Sequence, residues 1–246
     1  CIGVSAGITN GVSYISQQRG RNLEILTKYR NDKRYLGYGN FLKCKSLFGL
    51  DFVFDEIPNK LIPFDMNTYK KYTGKFLIGV TNAKTGEAEY LDGKDLDNKA
   101  TFLRATCAIP IFFPVIKINN NEYYDGGLCD PIPIRKAIAD GNKKHLIVLT
   151  QPKGYIKDLS KKNVIVSKLL KSKYPNLKNA FLTRHESYNK TVKFCEELEK
   201  QGKAIILRPE YKLESFEKDI NKLKSNYDHG YNLATKHITQ IKSLFN

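Results

Sequence analysis

The sequence predicts an α/β fold of the three-layer α/β/α type, with a mainly parallel central sheet, carried by a single domain over residues 1–246. Three observations predict it. Short runs rich in Ile, Val and Leu recur without strict alternation, the pattern of strands buried on both faces of a parallel sheet. Stretches with helical spacing separate them. No composition break divides the chain, and no internal repeat or low-complexity linker interrupts it.

Ile2-Gly3-Val4 reads as the end of a buried strand, and ITNGVSYISQQ as the start of a helix. Residues 22–75 are mainly helical in pattern and rich in aromatics. FLIGVTNA (76–83) is a strand and DNKATFLRATCAI (97–109) a helix. VIKI (115–118), an Asn-rich turn and YYDGG form a hairpin of two short strands. PIRKAIADG (133–141) is a helix with Pro133 near its start and Gly141 at its end. HLIVLTQ (145–151) and AIILRP (204–209) are strands, separated by a long helix over 179–203 that ends near Gly202. NLATKHITQIKSLF forms the last helix.

Hydrophobic residues at 41 % and aromatics at 11 % sustain a packed core rather than a disordered chain. No run of 18 apolar residues predicts a membrane-spanning helix. Cys1, Cys44, Cys107, Cys129 and Cys195 form no CxxC pair, which reads as a reduced, cytoplasmic setting. Four scattered histidines predict no zinc site, and no metal or cofactor is expected. The net charge is +16, with Arg19, Arg21, Lys28, Arg30, Lys33, Arg34, Lys43 and Lys45 early and LSKKNVIVSKLLKSKYPNLK later. Two readings stay open: a lysine-rich surface in water, and peripheral contact with an anionic membrane. A nucleic-acid partner is not expected, because no binding motif is present and the aromatics do not interleave with the basic runs.

The candidate chemistry begins at GVSAG. Ser5 stands between Gly3 and Gly7, on a turn from strand to helix, the setting of a nucleophile elbow. Such a serine sits in a strained conformation, and side chains in place of the flanking glycines would clash with the neighbouring strand and helix. The helix N-terminus supplies free N–H groups, that of Ala6 included, to an oxyanion. Asn10 and Gly11 keep the helix slim for packing on a sheet. A serine needs a base. Among the histidines, His229 in NYDHGYN is the one with a loop-like setting, and it leaves a Ser-His-Asp triad open. The alternative base is Asp125, which follows a short strand and precedes Gly126 and Gly127, where the backbone turns sharply.

GVSAG, RATCAIPIFFP and YYDGGLCDPIP, taken in order, resemble three landmarks of the patatin-like phospholipase family: a G-x-S-x-G elbow, an R-A-[ST]-x-A-x-P-x-x-F-P stretch, and a D-G-[GA] loop before a proline-started helix. About 120 residues separate the serine from the aspartate, as in that family. SLFGLDFVFDEIPNKLIPFD and TRHESYN resemble its bacterial branch. The resemblance implies an α/β/α fold and a Ser–Asp dyad without histidine: Ser5 as nucleophile, Asp125 as general base. It implies a serine acyl hydrolase acting on lipid esters, of phospholipase A or esterase type, and, as the non-enzymatic alternative, a lipid-binding protein on the same fold. Gly3, Ala6, Gly7, Gly126, Gly127, Phe112 and Phe113 are the candidate substrate-binding residues. The resemblance also implies that Arg104 to Pro114 pack beside the dyad, with Arg104 and Pro110 structural rather than catalytic, and Asp130 reads as the N-cap of the helix near Pro131.

Chemistry adds a demand. A free aspartate has a pKa of about 3.9, a feeble base for a serine, so the site must be dry. Ile109, Ile111, Phe112 and Phe113 suit a dry wall, an acyl-chain surface or ordinary core equally.

The family carries a further landmark upstream of the elbow, a G-G-G-x-[RK]-G loop that donates most oxyanion N–H groups, and this sequence holds no equivalent. The expectation is that an N-terminal strand, loop and helix are absent and that the chain as it stands is impaired, since losing an oxyanion donor costs about 100–1000-fold. A rival reading takes Cys1 as an N-terminal nucleophile, with Gly20-Arg21-Asn22-Leu23-Glu24 mimicking a stretch of such amidases. Those folds stack two antiparallel sheets, which the non-alternating strands here do not fit.

Overall fold

The computed structural model describes residues 1–44 and 46–246. Lys45, counted above among the early basic residues, lies outside them, as do the side chains of Lys43 and Cys44. The chain opens with β1 (Ile2–Val4), α1 (Ser5–Ile15), α2 (Arg21–Tyr29), α3 (Tyr38–Cys44), a π-helix (Phe52–Leu61) and α4 (Met66–Lys70). It continues with β2 (Leu77–Asn82), β3 (Ala88–Asp92), α5 (Thr101–Thr106), β4 (Ile116–Ile118), β5 (Asn121–Asp125) and α6 (Ile134–Ala139). Then come β6 (His145–Val148), α7 (Lys161–Leu170), α8 (Leu177–Lys200), β7 (Ala204–Leu207), α9 (Ile220–Lys236) and α10 (Ile238–Phe245). These elements divide into two compact units, residues 1–133 with 159–187, and residues 134–158 with 188–246.

The first unit is built on β2, whose six residues are all buried, as its unbroken apolar run predicts. Its sheet runs in the order β1-β2-β5-β4, with β3 on the other edge of β2. Pairing here is mixed rather than mainly parallel. β1 lies parallel to β2, while β3 and β5 are antiparallel to it and β4 and β5 form the expected hairpin. The cause is connection length: the short turns between β2 and β3 and between β4 and β5 allow only antiparallel neighbours. β3 escapes the reading of apolar runs because Glu89 and Asp92 interrupt it. Glu89 is at home in the sheet because its carboxylate accepts hydrogen bonds from Asn82 Nδ2 and the Tyr123 hydroxyl, both at 2.7 Å.

Both sheet faces are covered, so the unit has three layers. On one face Ile78 packs with Ile8, Val12 and Ile15 of α1 and Leu103 of α5. Successive strand residues point to opposite faces. Tyr124, paired with Thr81, therefore meets the other layer, where Leu177 and Phe181 of α8 pack with Ala83, Ala108 and Leu128.

In the second unit β6 and β7 pair in parallel, from His145↔Ala204 to Val148↔Leu207. β6 alternates: His145 and Ile147 are buried, Leu146 and Val148 exposed, so it is covered on one face and not on both as its composition predicts. The expected last helix breaks at His237 into α9 and α10.

Leu177 is fully buried in the layer beneath Tyr124. Leu177→Ala is expected to destabilise the protein by about 2–5 kcal/mol, measured by urea denaturation.

Candidate functional site

β1 and β5 share one edge of β2 and approach along it from opposite ends. β1 runs beside Leu77–Gly79 and finishes with Val4 opposite Gly79. β5 runs beside Asn82 back to Val80 and finishes with Asp125 opposite Val80. Ser5 begins where β1 stops. Two residues far apart in sequence are thus delivered to adjacent positions of a single strand.

At Ser5 the backbone turns abruptly. Val4 is extended, with φ −134° and ψ 153°, and Ser5 has φ +50°. This left-handed conformation is uncommon for a residue with a Cβ and marks strain at a turn. Ser5 is also the first residue of α1, whose first turn holds no acidic residue and whose start has no side-chain cap. Ala6 and Gly7 are exposed beside it. Gly3 is tight, since a Cβ there would stand 3.3 Å from Ile8 N, whereas a Cβ on Gly7 would meet nothing within 4 Å. The expected clash on both sides of the serine therefore holds on one. Gly11 does pack closely: its Cβ would lie 3.2 Å from the Phe76 ring.

Thr106 pins the turn. The Ser5 N–H donates to Thr106 Oγ1 at 2.9 Å, and the Thr106 hydroxyl donates to the Gly79 carbonyl at 2.5 Å. Thr106 is fully buried. Its hydroxyl thus ties the start of α1 to the β2 residue where β1 ends. Cys107 follows. Its thiol hydrogen-bonds with Ser5, and its pKa is pushed up by burial first and by the nearby Asp125 charge second, with the Ser5 bond pulling it down. One cysteine therefore senses both Ser5 and Asp125.

Asp125 is buried, at 5 % exposure. The Gly127 N–H donates to its Oδ1 at 2.7 Å. Its own N–H donates to the Ala108 carbonyl and its carbonyl accepts from the Thr81 hydroxyl, each at 2.9 Å. Gly126–Leu128 then forms a 3₁₀ turn capped by the Asp125 carboxylate. A Cβ on Gly126 would sit 2.3 Å from the Gly79 carbonyl oxygen, so only glycine lets the turn lie against β2. From α8, Arg184 Nε donates to the Gly127 carbonyl at 2.7 Å and braces the turn.

The remaining sequence candidates are placed as follows. Phe113 is buried and stacks on Phe48 with ring centroids 5.1 Å apart, a core position. Phe112 is 44 % exposed. Arg104 is structural, bonded to Asp51 and to the Lys99 carbonyl, each at 2.7 Å. Asp130 is not the expected N-cap: α6 starts later, at Ile134, and the Asp130 carboxylate instead accepts from the Tyr90 hydroxyl. His229 is not in a loop but inside α9, where its Nε2 accepts from the Glu210 N–H at 3.2 Å and its ring lies 4.8 Å from that of Tyr211. Thr106 and Cys107 come from the Arg104–Pro114 stretch that the resemblance sets beside the dyad, though sequence does not single them out within it. Arg184 is missed by sequence; it stands inside TRHESYN, the signal that points to it.

Among the described residues no cluster of His, Cys, Asp and Glu could hold a metal ion. A cavity of about 660 Å³ in the second unit is lined by Lys144, Glu199 and His237 among others, and neither Ser5 nor Asp125 contributes to it.

The model of a family described as patatin-like phospholipase matches residues 1–138, and that of a domain of unknown function (DUF6363) matches residues 174–246. The chain is 26 % identical over 157 residues to the uncharacterized protein YjjU of Escherichia coli (strain K12), covering 61 % of this chain and 43 % of that protein. It is 30 % identical over 155 residues to the probable lipid hydrolase 463L of Invertebrate iridescent virus 6, covering 59 % of this chain and 51 % of that protein. The chain thus spans about half the length of the curated relatives it matches.

Replacing Thr106 by Val keeps its shape and removes both hydrogen bonds, leaving the Ser5 N–H and the Gly79 carbonyl unpaired. Thr106→Val is expected to cost about 1–3 kcal/mol of stability in chemical denaturation. Thr106→Ser, which keeps the hydroxyl, is expected to retain most of it.

Proposed function

The chain belongs to the patatin-like phospholipase family, and on that premise we propose that it hydrolyses lipid esters with Ser5 as nucleophile and Asp125 as general base. The observation that carries the reading is the meeting of the two strand ends at Gly79 and Val80 of β2. The naming of one relative as a probable lipid hydrolase supports the substrate class.

The steps follow from this geometry. Ser5 Oγ attacks the ester carbonyl carbon while the Asp125 carboxylate takes the hydroxyl proton. The carbonyl π electrons move onto oxygen, and the N–H of Ala6 at the helix start offers a donor to that charge. The tetrahedral species collapses, the C–O bond to the alcohol breaks, and the alcohol leaves with the proton held by Asp125. The acyl group is now on Ser5. Water attacks it, giving its proton to Asp125, and the acid departs as Ser5 Oγ recovers that proton. Burial of Asp125 keeps water from competing for the carboxylate, which answers the demand for a dry base. The left-handed φ of Ser5 is the backbone setting that a nucleophile elbow requires. His229, engaged within α9, favours the two-residue reading over a triad.

Ester and phospholipid hydrolysis, with fluorophosphonate labelling, tests the proposal. Ser5→Ala is expected to abolish labelling and turnover, and Asp125→Asn to lower turnover by about 100-fold or more with the fold intact. Full activity in Asp125→Asn would refute the dyad.

A further inference from the structure

α7 presents an unusual outer face. Leu170 and Val166 point inward and pack against the cluster that holds Ala108, Phe113 and Leu128. The opposite face is exposed and carries Lys161, Lys162, Ile165, Lys168 and Leu169, one stripe at helical spacing. Ile165 is 58 % and Leu169 64 % exposed, and Leu159 just before the helix is 44 % exposed. A solvated helix face does not need two large aliphatic residues. None of the three lysines has an ion-pair partner among the described residues. Across residues 159–185 stand Lys161, Lys162, Lys168, Lys171, Lys173, Lys178 and Arg184, and no Asp or Glu.

We propose that this face of α7 is a docking surface for an anionic lipid membrane. Lysines attract the negative leaflet, and their long stems lie along apolar surface while the ammonium groups reach phosphate. Ile165, Leu169 and Leu159 enter the boundary between headgroups and acyl chains, as on other interfacial helices. The charge complementarity selects an anionic partner, and the aliphatic residues select lipid over nucleic acid, which calls for stacking aromatics and arginines. The inner face of α7 rests on the same cluster as Ala108 and Leu128, which adjoin Cys107 and the Asp125 turn, so a bilayer seated there is mechanically continuous with the wall of the candidate site. The proposal stands beside the hydrolase reading and does not depend on turnover.

The test is co-sedimentation of the Ser5→Ala protein with vesicles of phosphatidylcholine containing a quarter phosphatidylglycerol, and with vesicles of phosphatidylcholine alone. Binding is expected to the anionic vesicles only, and to fall as salt is raised. K161Q/K162Q/K168Q is expected to bind about a hundredfold more weakly, given a contribution of about fivefold per lysine. I165S/L169S is expected to bind more weakly to the same vesicles with its circular dichroism unchanged. Equal binding to neutral vesicles, undiminished binding by the triple variant, or equally tight binding to duplex DNA that I165S/L169S retains would overturn the proposal. Both variants, made with Ser5 intact, are expected to hydrolyse a soluble short-chain ester at the parent rate. Should the parent hydrolyse no ester, the hydrolase reading fails while the vesicle result keeps its meaning.

Discussion

The first unit depends on one constraint: a single edge of β2 is divided between two partners. β1 takes the half that ends at Gly79 and β5 the half that begins at Val80. A strand offers one row of donors and acceptors per edge, so the two partners abut end to end, and the chain leaves the sheet at both of the facing ends. The candidate site occupies that junction. Gly79 is its pivot: its carbonyl accepts from Thr106, and a Cβ on Gly126 would strike that same oxygen.

Strain and support are matched there. A serine with φ +50° carries a cost of about 1–3 kcal/mol, which the surroundings must offset. The Thr106 hydroxyl satisfies the Ser5 N–H, the close contact of Gly3 with Ile8 seats the start of α1, and Ile8 and Val12 bury the helix against Ile78. The aspartate is fixed by the backbone on both sides and by the Gly127 N–H, with Arg184 holding the turn from α8. Few of these supports are side chains that meet a ligand. They are backbone bonds, the Thr106 hydroxyl, the Arg184 guanidinium and the apolar packing of Ile8 and Val12.

That distribution explains what the sequence made legible. The strands β2, β6 and β7 stand out because their apolar runs need no context, Ser5 because glycines bracket it, and Asp125 because two glycines follow it. β3 is hidden by Glu89 and Asp92; the place of Glu89 in the strand follows from partners on β2 and β5. Thr106 looks like any buried helical threonine until the β2 carbonyl beside it is known. Asn226, Asp228 and Gly230 suggest a loop around His229, but α9, capped at its start by the Asp219 carboxylate, runs through them. Mixed pairing around β2 could not be read from composition, because buried parallel and antiparallel strands share the same residue types.

The divided edge also bears on how the molecule comes into being. Contacts that assemble the junction span 101 residues from Ser5 to Thr106 and 44 from Thr81 to Asp125. Such closures are slow and come late in folding, because loop entropy is spent before they return anything. A nascent or half-folded chain holds Ser5 and Asp125 on separate, unregistered strands. Only the complete sheet brings them together, and the first opening of β2 parts them again. The junction that holds the candidate site therefore exists only while the sheet of the unit that contains it is whole.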